Sequence, residues 1–327
     1  MSSRLAATGS GASATPCRGE PHWEGRSAPK GGQGKRGRAK PGDLNGVASV
    51  AGHRRPRNET RGITVVLLTR DITNVKPVHL PEPWRSAALT VVLPTYNEAP
   101  NLPVIVGALF DLPLTGLRIL VADDNSPDGT GDIADELAAR CGEARLSVVH
   151  RPGKEGLGRA YVDGMTRAVR TGAKFVAQMD SDLSHRPEYL PQMLGVLMST
   201  DADLVIGSRY IVDASVAREW SWRRKVLSGF ANTYVHVLLR LGLRDVTAGF
   251  KLWRSSALEA IDVSSIRSNG YSFQVEMNYR AVKRGLKIIE IPIHFAERSE
   301  GESKMTLRVQ LESALMPFLL WYRERWG

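Results

Sequence analysis

From Leu89 onward the chain alternates short apolar runs with stretches of helical period, and this alternation constrains the fold more than any other feature. The runs LTVVLP (89–94), LRILVADD (117–124), LSVVHRP (146–152), AKFVAQMDSD (173–182) and ADLVIGSR (202–209) read as buried strands. Asn101–Leu109, Gly131–Ala139, Gly158–Arg170 and Glu188–Met198 read as the helices between them. Strands this apolar offer no polar face to water, so both faces must be covered, and their alternation with helices builds βαβ units. The expected fold is α/β: a Rossmann-like, mostly parallel sheet with helices on both faces. In such sheets ligands bind beyond the carboxyl ends of the strands.

The preceding chain differs in kind. Residues 1–62 are rich in Gly, Pro, Ser and Arg, with no sustained apolar period. They cannot bury enough surface to offset backbone entropy, so a disordered basic extension over 1–85 is expected. Ile63–Thr69 is strand-like but isolated. The net charge of +10 sits there: residues 1–85 hold 15 Lys+Arg against 6 Asp+Glu, which leaves the other 242 residues at +1. The run 34–40 (GKRGRAK) could touch RNA or anionic lipid; a solvated tail or an upstream extension is the plainer reading. Two cysteines, Cys17 and Cys141, are too few for a disulfide framework or thiolate cluster. No apolar run reaches the roughly 18–20 residues that span a bilayer, and the N-terminus lacks the apolar core of a secretory signal.

Three strand ends carry chemistry. PTYNE (94–98) sets an aromatic, an amide and a carboxylate in a turn. DDNSPDGT (123–130) suits a helix start, and its acids could also hold a base edge, a ribose hydroxyl or a metal-bound water. Asp180-Ser181-Asp182 would place two carboxylates on one side of an extended backbone. Converging carboxylates repel unless a cation lies between them, and hard oxygens with open positions suit Mg2+ or Mn2+ bridging to a diphosphate.

The ordered set VVLPTYNE, VADDNSPDGT, MDSDLSHRPE, GSRY, LSGFAN, DVTAGFKLWR, GYSFQVEM and ERSEGESKM resembles family 2 glycosyltransferases of the GT-A fold, and more narrowly polyprenyl-phosphate (dolichyl-phosphate) mannosyltransferases. The resemblance covers roughly Thr90 to Arg308. It implies a glycosyltransferase domain over 86–310. The run 314–322 (ALMPFLLWY) is too short to span a bilayer and holds a Pro, so 311–327 is expected to be an amphipathic segment that lies at a membrane interface or docks on a membrane partner. The resemblance also implies that Pro94, Tyr96 and Glu98 contact the nucleotide and that Ala122 and Asp124 hold base and ribose, with Asp123 supporting the turn. Asp180 and Asp182 would bind metal and diphosphate, with Ser181 donating from its backbone. Ser184 stands where some relatives carry Gln as a further metal ligand, and being weaker it leaves that position open to water. Arg209, Arg298 and Lys304 match phosphate-binding and loop-closing basic residues, and Arg223 or Arg224 matches a basic residue near the acceptor phosphate. His185 and His294 are expected to be structural.

The reaction so implied is inverting transfer of mannose from GDP-mannose to polyprenyl phosphate, at the cytoplasmic face of a membrane and without a spanning segment in this chain. Trp220, Trp222, Val226, Leu227, Phe230, Tyr234, Val237, Leu238 and Leu241 recur at helical spacing and could meet either core or interface. Larger relatives append transmembrane helices, so a separate integral-membrane partner is compatible. Two other readings remain open: a polyprenyl-phosphate glucosyltransferase using UDP-glucose, and a non-enzymatic nucleic-acid or membrane binder acting through the basic tail. The charge map disfavours the last, and no nucleic-acid partner is expected.

Overall fold

The computed structural model describes residues 80–212, 214–216, 222–296, 315–319 and 322. Strand β1 (Leu89–Thr95) lies inside a seven-stranded sheet and is buried along its whole length. Its neighbours in the sheet follow the order β3 (Leu146–His150), β2 (Leu117–Asp123), β1, β4 (Phe175–Gln178), β7 (Lys251–Arg254), β5 (Leu204–Ser208), β8 (Ile288–Pro292). All adjacent pairs are parallel except those of β7, which runs antiparallel to both β4 and β5. A separate parallel pair joins β6 (Ser215–Val216) to β9 (His294–Phe295).

Helices cover both faces. On one, α1 (Leu102–Phe110), α2 (Thr130–Cys141) and α4 (Leu190–Ser199) pack with Val91 and Leu93. On the other, α3 (Leu157–Arg170), α5 (Trp222–Leu239), α6 (Ser255–Ala260) and α7 (Gly270–Lys283) pack with Val92. Alternate residues of β1 thus enter opposite cores, and each buried Val or Leu contributes about 1.5–3 kcal/mol.

The sequence reading departs from this fold in three respects. Strands β6, β7, β8 and β9 and helices α6 and α7 were not anticipated. The expected strand 173–182 ends at Gln178, whose partner Lys251 begins β7, so Asp180 and Asp182 stand on a loop rather than on one side of a strand. Residues 80–85 do not behave as a solvated extension: Leu80 is buried and Trp84 packs on the same core. The remainder of that expected extension, 1–79, including the strand-like 63–69, lies outside the described residues. The apolar stripe, left open between core and interface, divides in its described part: Tyr234 on α5 and Leu241 just beyond it pack into the core, whereas Val237 is 67% exposed. Trp220 and the side chains of Trp222, Val226, Leu227 and Phe230 lie outside the described residues.

Candidate active site

The parallel strands β1, β2 and β4 deliver their carboxyl ends to one rim. Leaving β1, Asn97 adopts φ 56°, and the turn is tied to the loop after β2. Asn97 N–H donates to Ser126 Oγ at 3.0 Å, Glu98 N–H to Thr130 Oγ1 at 2.9 Å and Ala99 N–H to Asp128 Oδ2 at 3.1 Å. Glu98 is buried and accepts from Asn101 Nδ2 at 2.8 Å. Lys154 Nζ stands 3.9 Å above the Tyr96 ring. Ala122 is fully buried with Leu120 and Ala160, so its side chain belongs to the floor beneath this rim.

The adjacent acids after β2 do different work. Asp123 accepts from Thr95 Oγ1 (2.8 Å), Ser126 N–H (3.0 Å) and Ser126 Oγ (2.6 Å), which is the turn-supporting role expected for it. Asp124 is paired with Arg151 and accepts from Gly156 N–H at 3.3 Å. Burial pushes the Asp124 carboxyl up, against the pull of the guanidinium. Arg151, itself buried, also holds Glu155 (2.6 Å) and Asp163 (2.8 Å), so one cation faces three carboxylates. Sequence reasoning missed Arg151; its position at the end of β3, beside the acidic end of β2, was the available signal.

Beyond β4, the Ser181 hydroxyl donates to the Pro94 carbonyl at 2.9 Å and joins this loop to β1. Asp180 Oδ1 accepts from the Tyr161 phenol at 2.7 Å. Among the described residues Asp180 Oδ2 accepts no hydrogen bond and lies 3.9 Å from His185 Nδ1. Asp182 Oδ1 accepts from Ser184 N–H (3.1 Å) and Ser184 Oγ (2.6 Å). The Ser184 hydroxyl thus serves as a donor to the second carboxylate.

His185 is buried between Phe250 and Phe295, with both ring centroids 5.2 Å away, and its Nδ1 accepts the Asp180 N–H at 3.2 Å. Burial lowers its pKa, so it is a neutral packing and hydrogen-bonding ring. The His294 backbone N–H donates to the Tyr189 hydroxyl at 2.8 Å in β9.

Arg209 leaves β5 and is gripped along one edge by Asp245, Nε to Oδ2 and Nη2 to Oδ1, each 2.8 Å, with Nη2 also on Thr247 Oγ1 at 2.8 Å. Burial works to raise the Asp245 pKa; the Arg209 guanidinium outweighs it and holds the carboxyl below its usual range. Glu290 on β8 fixes Asp245 in turn, accepting the N–H groups of Arg244 (2.8 Å) and Asp245 (2.9 Å). Of the other expected basic residues, Arg298 and Lys304 lie outside the described residues, as do the side chains of Arg223 and Arg224 on α5.

The arrangement fits a divalent cation. Gly249 is a cradle: a Cβ there would lie 3.3 Å from Asp180 Oδ2 and 3.2 Å from His185 Cε1. Among the described residues no cluster of three or more His, Cys, Asp or Glu could hold a metal. Two carboxylates alone suit a hard cation that takes its remaining ligands from substrate phosphate and water, as Mg2+ commonly does.

The sequence profile described as Glycosyl transferase family 2 matches residues 90–262, which include both carboxylates and Arg209. The chain belongs to this family. It is a glycosyltransferase with the GT-A fold. Polyprenol monophosphomannose synthase of Mycolicibacterium smegmatis is 47% identical over 216 residues, 66% of this chain and 80% of that protein. Undecaprenyl-phosphate mannosyltransferase of Micrococcus luteus is 43% identical over 215 residues, 66% of this chain and 86% of that protein. Among solved structures, glucosyl-3-phosphoglycerate synthase of Mycobacterium tuberculosis with Mn2+, UDP and glucosyl-3-phosphoglycerate matches with a TM-score of 0.52 at 17% identity, covering 75% of this chain and 86% of that one. A mannosyltransferase of Pyrobaculum calidifontis with GDP-Man and Mn2+ matches with a TM-score of 0.50 at 17% identity, covering 76% and 67%. These structural likenesses establish the fold. Among the described residues no helix is long and apolar enough to cross a membrane.

Proposed function

We propose that this glycosyltransferase transfers mannose from GDP-mannose to polyprenyl phosphate with inversion, giving a β-linked mannosyl phosphate, and that it needs Mg2+ or Mn2+. The observation that carries the acceptor and sugar is the pair of relatives at 47% and 43% identity, both named for joining mannose to a polyprenyl phosphate. Asp180 and Asp182 would hold the cation, which supplies Lewis-acid stabilisation to the departing diphosphate.

The remaining chemistry belongs to the chain. Arg209, locked by Asp245, presents a fixed positive charge to phosphate without reorganising. Arg298 and Lys304, with Arg223 or Arg224, would add positive charge where two anions must meet. A phosphate monoester has a second pKa near ~6 and is already largely dianionic at pH 7, so the acceptor needs no strong base. That agrees with a buried, stacked, neutral His185. Tyr96, Glu98 and Asp124, with Pro94 and Ala122 beneath them, form the rim proposed for the nucleotide.

The acceptor tail keeps the reaction beside lipid. Leu315, Phe318, Leu319 and Tyr322 are exposed at the spacing i, i+3, i+4, i+7, one face of a helix. This face would rest in a membrane interface, holding the enzyme peripherally at the cytoplasmic surface. The test is to incubate the full chain and Mn2+ with polyprenyl phosphate and either radiolabelled GDP-mannose or UDP-glucose, and then count organic-phase product. Label from GDP-mannose alone is expected; label only from UDP-glucose, or from neither, refutes the reading.

A further inference from the structure

In α3, Tyr161 has a glycine three residues to either side, Gly158 and Gly164, and residues spaced by three share a helix face. A Cβ on Gly158 would stand 2.4 Å from the Ser268 carbonyl oxygen, and one on Gly164 would stand 2.4 Å from Val92 Cγ1. Both distances are inside any tolerable contact. The helix therefore sits closer to β1, and to the segment ahead of α7, than side chains at those positions would permit. This seating brings a wholly buried phenol to Asp180, 2.7 Å from Oδ1. The Tyr161 ring stacks on Phe273 of α7, centroids 5.7 Å apart and planes within 2°.

We propose that Tyr161 is a positioning residue for the divalent cation: its phenol fixes Asp180 through Oδ1 and leaves Oδ2 for ligation. The inference rests on the metal-dependent reading above and assigns that reading a further residue. Asp180 stands on a loop beyond the end of β4, where a carboxylate can turn about its own axis. A short hydrogen bond from a buried, stacked donor removes that freedom. Outer partners of metal ligands typically matter about 10–100-fold in metal affinity. A tyrosine that served packing alone would affect stability and leave the metal untouched.

The experiment is a Mn2+ titration of the full chain in the presence of GDP, read as free Mn2+ by electron paramagnetic resonance, beside thermal midpoints. Tyr161→Phe keeps the ring and the stack, and is expected to weaken Mn2+ binding about tenfold, with GDP binding in the absence of metal unchanged. Phe273→Leu keeps the phenol and removes its ring partner, and is expected to lower the thermal midpoint with Mn2+ affinity near that of the parent chain. Parent-like Mn2+ binding by Tyr161→Phe overturns the inference and leaves the metal-dependent reading standing. An equal loss in Phe273→Leu assigns the effect to packing and also overturns it. A parent chain that retains no Mn2+ with GDP defeats the metal-dependent reading and the inference together.

Discussion

Lys251→Met should abolish one pH dependence of folding stability. Lys251 is fully buried where β7 meets β4, opposite Gln178. Its Nζ donates to Gln274 Oε1 at 2.9 Å and reaches the Gln274 carbonyl oxygen at 3.4 Å. Burial lowers its pKa from 10.5 to about 7, only partly opposed by the charge of Asp245. That fall corresponds to about 5 kcal/mol of disfavoured charge. The unfolded chain, with its lysine near 10.5, binds the proton throughout the interval in which the folded chain has released it. Stability from this group therefore rises with pH between about 7 and 10.5, by about 1.4 kcal/mol per pH unit. Methionine fills similar space and has no proton to bind. It leaves no orphan, since Gln274 Oε1 still receives Gln178 Nε2 at 2.6 Å. Urea unfolding of both chains at pH 7.5, 8.5 and 9.5 isolates the lysine as the difference between them. The parent chain should gain about 3 kcal/mol on the variant across that range. Parallel stability curves would refute the argument, because they require an amine that keeps its proton in the folded chain.

Asp182→Asn removes a carboxylate charge while keeping its shape, and radiolabelled product formation at saturating Mn2+ should fall roughly 10²–10³-fold, the loss typical for a group that steadies developing charge. Asp123→Ala strips three hydrogen bonds from a buried turn, and denaturant unfolding should show a loss of about 3 kcal/mol. Replacing Phe318 and Leu319 together by Asp should abolish flotation with anionic vesicles while activity on a short-chain, water-soluble prenyl phosphate stays within about twofold, since charge inserted into an apolar interfacial face opposes membrane binding. Unchanged flotation would place the contact elsewhere.

The parts of this protein legible in its sequence are those decided by water against core. A strand covered on both faces must be apolar throughout, so β1, β2 and β5 announce themselves, and the ends of β1, β2 and β4 show where polar residues gather. Strand β8 is equally buried but carries Glu290 at its centre, and it went unread. Strand β7 escapes that logic. Its segment KLWR follows Gly249 and Phe250, runs antiparallel, and opens with a lysine that patterning reads as surface although it is fully buried. The end of β4 escapes it too. Alternation in FVAQMDSD continues past Gln178, but the hydrogen-bonded partner does not, because β7 begins opposite that residue. The loop that results turns through Leu183 at φ 64°. The two residues that hold the acids in place were hidden for a related reason. Arg151 meets Asp124 across 27 residues, and Tyr161 meets Asp180 across 19, so neither pairing has a local period to betray it. What local sequence does record is permission for the approach. Gly158 and Gly164 bracket Tyr161 because α3 must come closer than a methyl group allows, and the phenol reaches its carboxylate only where that closeness is met. In α3 the glycines at equal spacing about Tyr161 are thus the sequence trace of this approach, one that strand and helix periodicity do not carry.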